Sequence, residues 1–181
     1  GEVMAAEDRF HGQDIGAVAV YNNDAVPGTA EYDIQATLRL VNESTLQRAA
    51  VMGRASASEN TNYHAQLIDT ATGWSLDKVV AGTTTNLGTW VTTPVSNTDY
   101  TAKLEIRDAT KKLFVDGTQR ISSTDNAITA AGRAGLRSKI DGRVDNFIAT
   151  DLAGAAGQPT MRRWDGTPGM TPAGSRMGRG W

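Results

Sequence analysis

The sequence contains no cysteine, few aromatic residues and no long apolar run. Among its 181 residues, Phe, Trp and Tyr together make up 6%. Without cysteine, disulfides and zinc–thiolate sites are excluded, so packing must hold the fold together. No apolar stretch approaches the roughly 20 residues that a membrane-spanning helix needs. The formal net charge of −2 gives no electrostatic reason to expect binding to nucleic acid or to an anionic membrane.

The chain divides into two regions of different character. No segment of residues 1–152 keeps a helical period, and Gly, Thr, Ser and Asn interrupt short alternating segments, which is typical of all-β folds. Residues 153–181 begin with a small-residue linker and have no period at all. Four arginines and one aspartate give this tail a net charge of +3. We therefore predict a β domain over 1–152 and an irregular tail over 153–181.

Residues 100–152 show the strongest strand pattern. Leu104 and Ile106 alternate with polar residues, as do Leu113 and Val115. The sequence Asp116-Gly117 after the second pair is a strong hairpin signal, because glycine adopts the positive φ of a primed turn without steric cost. This part predicts a meander. Further strands are predicted at 15–21, 31–41, 49–54, 63–68, 76–80, 134–136 and 144–149, with a polar connection between the sheets at 83–98.

Several motifs of this pattern resemble a known family. "LFVDG", "TDNAIT", "GRAGL" and "VDNFIATDL", preceded by "YDIQATLRL", are similar to the concanavalin A-like (laminin G-like) domains over residues 32–152. The resemblance implies an all-β, two-sheet antiparallel jelly-roll sandwich. It implies little about activity, because this fold carries lectins, glycosidases and structural modules. The Asp-Phe pair that this family usually has in an N-terminal strand is missing. Two interpretations are open: the opening strand is degenerate, or a neighbouring domain or chain completes that edge of the sandwich.

The resemblance also suggests a sugar-binding face. Carbohydrate sites combine aromatic platforms with planar polar groups, while the alternative for each aromatic residue is packing in the core. The residues that the resemblance places near a concave face are Arg54, Tyr63, Gln66, Trp74 and Arg137.

Catalysis and metal binding have weaker support. Glycosidases of this architecture need a pair of carboxylates across the sugar, and the acids of this chain are scattered, so we predict no enzyme activity. His11 and His64 lack metal-ligand spacing, and we favour a solvent-facing or hydrogen-bonded His64. Asp125-Asn126 and Asp145-Asn146 could supply calcium ligands, but turn formation is the favoured interpretation, so no cofactor is predicted and calcium stays an alternative.

The tail suggests a function. "MRRWDGT", followed by a Gly- and Pro-containing stretch, resembles modules of tailed-phage minor tail and decoration proteins. This implies a non-enzymatic structural or adhesion module of a virion, whose partners are other virion proteins or its own copies, with contact to a host-surface glycan. The alternative is an extracellular carbohydrate-binding domain, or an accessory domain of a larger glycoside-active enzyme. Aromatic residues, Met and Arg are enriched in interfaces, while a solvated tail stays open. The predicted partner-interface residues are Met161, Arg162, Arg163, Trp164, Arg176, Arg179 and Trp181.

Overall fold

The computed structural model describes residues 29–41, 47–58, 60–70, 72–139 and 142–152 in full, and residues 10–11, 18–20 and 162–163 by their backbone alone. These residues form strands and turns without any helix. Within this part of the chain there is accordingly no helix that could cross a membrane. The strands form two sheets in which every pairing is antiparallel. The predicted two-sheet sandwich is confirmed.

The two sheets are named A and B. Sheet A has the order β1 (Phe10–His11), β12 (Gly142–Asp151), β3 (Tyr32–Leu40), β8 (Tyr100–Arg107), β9 (Thr110–Val115) and β10 (Thr118–Thr124), with β13 (Arg162–Arg163) also paired to β12. Sheet B has the order β2 (Val18–Val20), β11 (Arg133–Lys139), β4 (Arg48–Ala55), β5 (Asn62–Ile68), β6 (Trp74–Val80) and β7 (Thr83–Trp90). Most predicted strand bounds agree within one or two residues, while the polar segment Thr118–Thr124 is an additional strand.

The core lies between the sheets because alternate residues of the central strands are apolar. On β3 the buried positions are every second residue from Tyr32 to Leu40, as the sequence pattern predicts. Gly53 allows the sheets to approach each other here, since a Cβ at this position would lie 2.4 Å from Ile106 Cδ1 and 2.7 Å from Ile34 Cδ1. The facing core residues of sheet B are Ala49, Val51, Tyr63, Ala65, Leu67, Trp74, Leu76, Ala134 and Leu136.

The meander of residues 100–124 has the predicted turn. Asp116 and Gly117 have φ values of 49° and 76°, as a two-residue primed turn requires. The turn joins β9 to β10, which form a hairpin at one edge of sheet A. The hairpin prediction is therefore confirmed.

The prediction for residues 83–98 needs correction. Residues 83–90 do not cross between the sheets as a polar connection but form β7, which pairs with β6. The prediction was wrong because β7 is the edge strand of sheet B. Thr83, Thr84 and Thr85 are exposed to solvent there, so this strand has the polar sequence that is expected of a loop. Only the following segment connects the sheets, and it leaves Val91 and Val95 exposed.

Candidate functional site

The five predicted sugar-binding residues do not share one surface. Gln66 on β5 and Arg137 on β11 lie on the outer face of sheet B, where both are opposite Ala50 of β4. Tyr63 and Trp74 point the other way, into the core, and are at most 1% exposed. Trp74 packs edge-to-face on Tyr100 with ring centroids 5.9 Å apart. The prediction that these aromatic rings form a platform therefore differs from the structure, because alternation along β5 and β6 sends them inward.

Arg54 also lies away from that face. Its φ of 50° interrupts the alternation of β4, and its guanidinium group enters one end of the sandwich. There Nε donates to Ala30 O at 3.0 Å, Nη2 donates to Asp108 O at 3.3 Å, and Nη1 donates to Ile128 O. Arg54 is only 3% exposed. Its role in this structure is to close the end of the sandwich.

A second buried cation supports the same end. Lys111 is fully buried, and its Nζ donates to Asp108 O at 2.6 Å and to Asp125 O at 2.9 Å. The ammonium group also lies 4.7 Å from the centroid of the Tyr63 ring. Burial is the largest cause that lowers the pKa of Lys111 to about 8, and the charge of Arg54 adds to it.

The candidate calcium ligands have other partners here. The Asp125 carboxylate accepts a hydrogen bond from Tyr63 Oη at 2.6 Å and forms an ion pair with Lys78. Burial alone would raise the pKa of Asp125, but the hydrogen bonds from Lys78 and Tyr63 bring it to about 2. Asp145 Oδ1 accepts a hydrogen bond from the Asn146 backbone N–H, as in a turn. Within the described ranges, no group of three acidic, His or Cys side chains is arranged to hold a metal ion.

The outer face of sheet B carries a cluster of polar side chains. Cross-strand pairing brings its residues into two neighbouring rows. One row consists of Arg137, Ala50, Gln66, Ser75 and Thr89, and the other consists of Gly135, Met52, His64, Asp77 and Asn86. Neither row contains Phe, Tyr or Trp.

Asp77 is the centre of this cluster. Its Oδ2 accepts hydrogen bonds from Gln66 Nε2 at 2.7 Å and Ser75 Oγ at 2.5 Å, and its Oδ1 accepts one from Asn86 Nδ2 at 2.8 Å. Gln66 also donates to Ser75 Oγ at 2.9 Å. Gln66, Ser75 and Asp77 are buried, whereas Asn86 is exposed. The hydrogen bonds fix the orientations of these side chains, and Asn86 presents the network to solvent.

His64 belongs to the same cluster. Its Nδ1 is 3.0 Å from Asn62 Oδ1 and its Nε2 is 3.5 Å from Asp77 Oδ2. Burial is the largest cause that lowers the pKa of His64 to about 4; Asp77 opposes the shift, and Arg137 and Arg48 add to it. His64 is therefore neutral near pH 7. The prediction of a hydrogen-bonded strand histidine is confirmed, although the side chain is only 1% exposed rather than facing solvent.

Positive charge lies at one corner of this face, where β4 meets β11. We call Arg48, Arg137 and Lys139 the basic corner. Arg48 is directly opposite Lys139, and Arg137 is two residues away on the same face of β11. Burial lowers the pKa of Arg137, and the neighbouring charge of Arg48 lowers it further, against the effect of Asp77.

Sequence reasoning missed most of this site. Arg48, His64, Ser75, Asp77 and Asn86 were not predicted as binding residues. The available signal was the period of two, because it places His64 and Gln66 on one face of β5. Asp77 was one of several acids that are scattered along the sequence, and only the registers of β5, β6 and β7 bring its partners together.

The outer face of sheet A is different. It has a shallow groove of about 260 Å³ lined by Asp33, Gln35, Lys103, Ile148 and Thr150. Its charges are paired: Arg107 Nη2 is 2.5 Å from Asp33 Oδ1, and Lys103 Nζ is 2.6 Å from Glu105 Oε1. We therefore do not place the candidate site there.

Comparisons with known proteins agree with the fold. No family model and no curated protein matches the sequence. The carbohydrate-binding module CBM66 of Bacillus subtilis superposes with a TM-score of 0.65 at 17% identity, covering 75% of this chain and 80% of that chain. CG-16, a homodimeric agglutinin from chicken liver, gives 0.53 at 13% identity, covering 74% and 98%. The GH43 protein BlXynB of Bacillus licheniformis gives 0.51 at 12% identity, covering 66% of this chain and 27% of that chain.

These likenesses establish the class of fold. The chain is a two-sheet antiparallel jelly-roll sandwich, the fold that the sequence resemblance implied. At such low identities they show the fold alone, and they give no support to the expected virion role. Of the predicted interface residues in the tail, the structure describes only the backbone of Arg162 and Arg163, which pairs with Ala149 and Ile148 of β12. Met161, Trp164, Arg176, Arg179 and Trp181 lie outside the described residues.

Proposed function

We propose that this domain is a non-catalytic carbohydrate-binding module whose site is the outer face of sheet B. The observation that carries the proposal is the hydrogen-bonded cluster around Asp77. A sugar offers several hydroxyl groups that both donate and accept, and the exposed Asn86 amide and Thr89 hydroxyl at the edge of the cluster can match them. Because the cluster is already ordered by its own hydrogen bonds, little conformational entropy is lost on binding.

Binding fits this face better than hydrolysis. The two-carboxylate mechanism of glycosidases requires an acid and a second carboxylate on opposite sides of the sugar bond. The six strands of sheet B contain one acidic residue, Asp77. Its two oxygens already accept hydrogen bonds from Gln66, Ser75 and Asn86. Asp77 therefore serves to position Asn86, the exposed member of the cluster, and the sugar contacts Asn86 and the exposed Thr89 beside it.

The fold comparisons support this proposal in a limited way. The CBM66 structure is described as a carbohydrate-binding module and CG-16 as an agglutinin. Both correspond to this chain over most of their length, whereas BlXynB corresponds over about a quarter of its length. A virion or host-adhesion role stays a separate prediction. It is compatible with sugar binding, but it has no support of its own here.

Binding can be tested with a panel of polysaccharides. Affinity electrophoresis and calorimetry with levan, β-galactan, xylan and polygalacturonate would show whether the domain binds any of them. We expect Asp77→Asn to weaken binding of the retained glycan about ten-fold, because the hydrogen bonds that orient Gln66, Ser75 and Asn86 would be weakened, and such bonds to a charged group contribute roughly 1.5–3 kcal/mol. Asn86→Ala should weaken it about three-fold through loss of an exposed neutral partner, for which about 0.5–1.5 kcal/mol is typical.

A matched control uses another exposed asparagine. Asn126 lies in the loop after β10, away from sheet B's outer face, so Asn126→Ala should leave the affinity unchanged. Thermal unfolding of each variant would show that the fold persists. If the wild-type domain binds no polysaccharide, or if Asn86→Ala and Asp77→Asn bind as tightly as wild type, the proposed site is wrong.

A further inference from the structure

We propose that the ligand of this face is an acidic sugar whose carboxylate or sulfate group binds at the basic corner, between Arg48 and Arg137. The inference rests on the proposed function, and it adds the chemical class of the ligand. Asn86, the exposed member of the cluster around Asp77, would then bind hydroxyl groups of another sugar unit in the same polysaccharide chain.

The first observation is the proximity of like charges. Arg48 and Lys139 are directly opposite each other on β4 and β11, at a spacing of about 5 Å between Cβ atoms, and like charges in this position destabilise a sheet. Arg137 is the diagonal neighbour of Arg48 on the same face, and the positive charge of Arg48 acts on it. An anion between the three side chains would turn this repulsion into attraction.

The second observation is that the strands of sheet B do not supply that anion. Asp77 is their one acidic residue, and it lies on β6, two strands away from β4. Its oxygens are held by Gln66, Ser75 and Asn86. Asp77 therefore reduces the charge of the face without pairing directly with either arginine.

The third observation concerns a single atom. Arg48 Nε is buried from solvent and has no hydrogen-bond partner in the part of the chain that is described. A buried donor without a partner costs free energy, so such an atom in a folded protein calls for an explanation. The guanidinium group presents paired N–H donors that match the two oxygens of a carboxylate or sulfate, and an anionic ligand would supply the missing acceptor.

Other arginines in the same molecule show the contrast. Arg39 binds both oxygens of Asp99 at 2.7 and 2.9 Å, and Arg107 lies 2.5 Å from Asp33. Arg54 donates to three main-chain carbonyl oxygens. These three arginines have their partners within the described structure. At the basic corner, by contrast, Arg48 Nε has no hydrogen-bond partner among the described residues.

The test uses pairs of polysaccharides that differ in their anionic groups. Polygalacturonate and its fully methyl-esterified form differ in the carboxylate, and κ-carrageenan and its desulfated form differ in the sulfate. We expect the anionic member of at least one pair to bind ten-fold or more tightly than its neutral counterpart. The pair that discriminates identifies which acidic group is recognised. The affinity should also decrease as NaCl is raised from 50 to 500 mM, because salt screens exposed charges.

Variants locate the effect. Arg48→Gln and Arg137→Gln should each lower the affinity for the anionic polymer at least ten-fold. Lys112→Gln provides the control for the loss of one positive charge, because Lys112 is a partly exposed residue of β9 in sheet A. It should bind like wild type. Each glutamine variant should keep its melting temperature, since removing one of several like charges does not strain the fold.

The outcomes separate this inference from the proposed function. If the domain binds neutral glycans equally well, or if Arg48→Gln and Arg137→Gln bind the anionic polymer like wild type, the acidic-sugar inference is overturned while sugar binding stands. An equal loss in Lys112→Gln would also overturn it, because the attraction would then be due to overall charge. If wild type retains no glycan of either charge, the proposed function fails, and the inference fails with it.

Discussion

The end of the sandwich and the outer face of sheet B both carry neighbouring positive side chains. The two regions differ in whether these side chains have hydrogen-bond acceptors within the protein. At the end, Arg54 and Lys111 are buried and donate to main-chain carbonyl oxygens of Ala30, Asp108, Asp125 and Ile128. At the basic corner, Arg48 faces Lys139, and its buried Nε has no partner among the described residues. Cations that hold a fold together have their acceptors inside it. Arg48 Nε has no such acceptor among the described residues, and for this reason we propose an anionic ligand at the basic corner.

The largest expected effect on stability concerns Arg54 at the end of the sandwich. Arg54→Met would keep most of the buried volume but leave the Ala30 and Ile128 carbonyl oxygens without their donor, while Asp108 O would keep its hydrogen bond from Lys111. Each unsatisfied buried group costs about 1–3 kcal/mol, so we expect the free energy of unfolding to decrease by roughly 4 kcal/mol. Urea denaturation followed by fluorescence measures this change. A decrease below about 1 kcal/mol would show that the end of the sandwich does not depend on Arg54.

An intermediate effect concerns His64 on the outer face. Its pKa is lowered to about 4 in the folded protein, below the usual 6.5, so the unfolded chain takes up the proton first. The neutral His64 therefore contributes stability that is fully present above pH 6.5 and is lost as the pH falls toward 4, by at most about 3 kcal/mol. Chemical denaturation at pH 7.0, 5.5 and 4.5 would measure it.

His64→Gln serves as the reference for that measurement, because carboxylates also titrate as the pH approaches 4. Subtracting the unfolding free energies of the variant from those of wild type isolates the contribution of His64. If the difference stays constant between pH 7.0 and 4.5, His64 is not held in its neutral form.

The smallest effect has the opposite sign to that of Arg54. Without ligand, Arg137→Gln removes one member of the like-charged corner, and we expect the free energy of unfolding to stay constant or rise by about 0.5 kcal/mol, since exposed or partly exposed charge interactions are weak. The same urea experiment applies. A loss of more than about 1 kcal/mol would mean that Arg137 has a stabilising partner in the free protein, which would remove the contrast between the two regions.

Part of this fold could be predicted from local sequence signals. The period of two from Tyr32 to Leu40 and the Asp116-Gly117 turn each depend on neighbouring residues, and both are confirmed. The edge strand β7 was missed, because a row of exposed threonines looks the same in a strand and in a loop. The face to which a side chain points was even more difficult to predict from the sequence. Tyr63 and Trp74 resemble a sugar platform in composition, but the position of each in the alternation decides which face it occupies.

The candidate site depended on register, which the sequence leaves open. Gln66 and Arg137, both predicted as sugar-binding residues, lie on one face because both are opposite Ala50, while their role in binding stays a prediction. The importance of Asp77 could not be predicted, because its partners come from three strands, and a slip of one residue in any of them would move them to the other face. The same holds for the basic corner, where Arg48 and Lys139 are 91 positions apart in the printed sequence.

The way Arg54 is bound has a consequence for how this domain can change over evolution. Its guanidinium group recognises main-chain oxygens in three separate segments, at Ala30, Asp108 and Ile128, and no side chain of those residues takes part. Substitutions in these segments can therefore alter the surface chemistry at this end, provided that the backbone keeps its path. One invariant arginine would allow many different loop sequences to be displayed on the same scaffold.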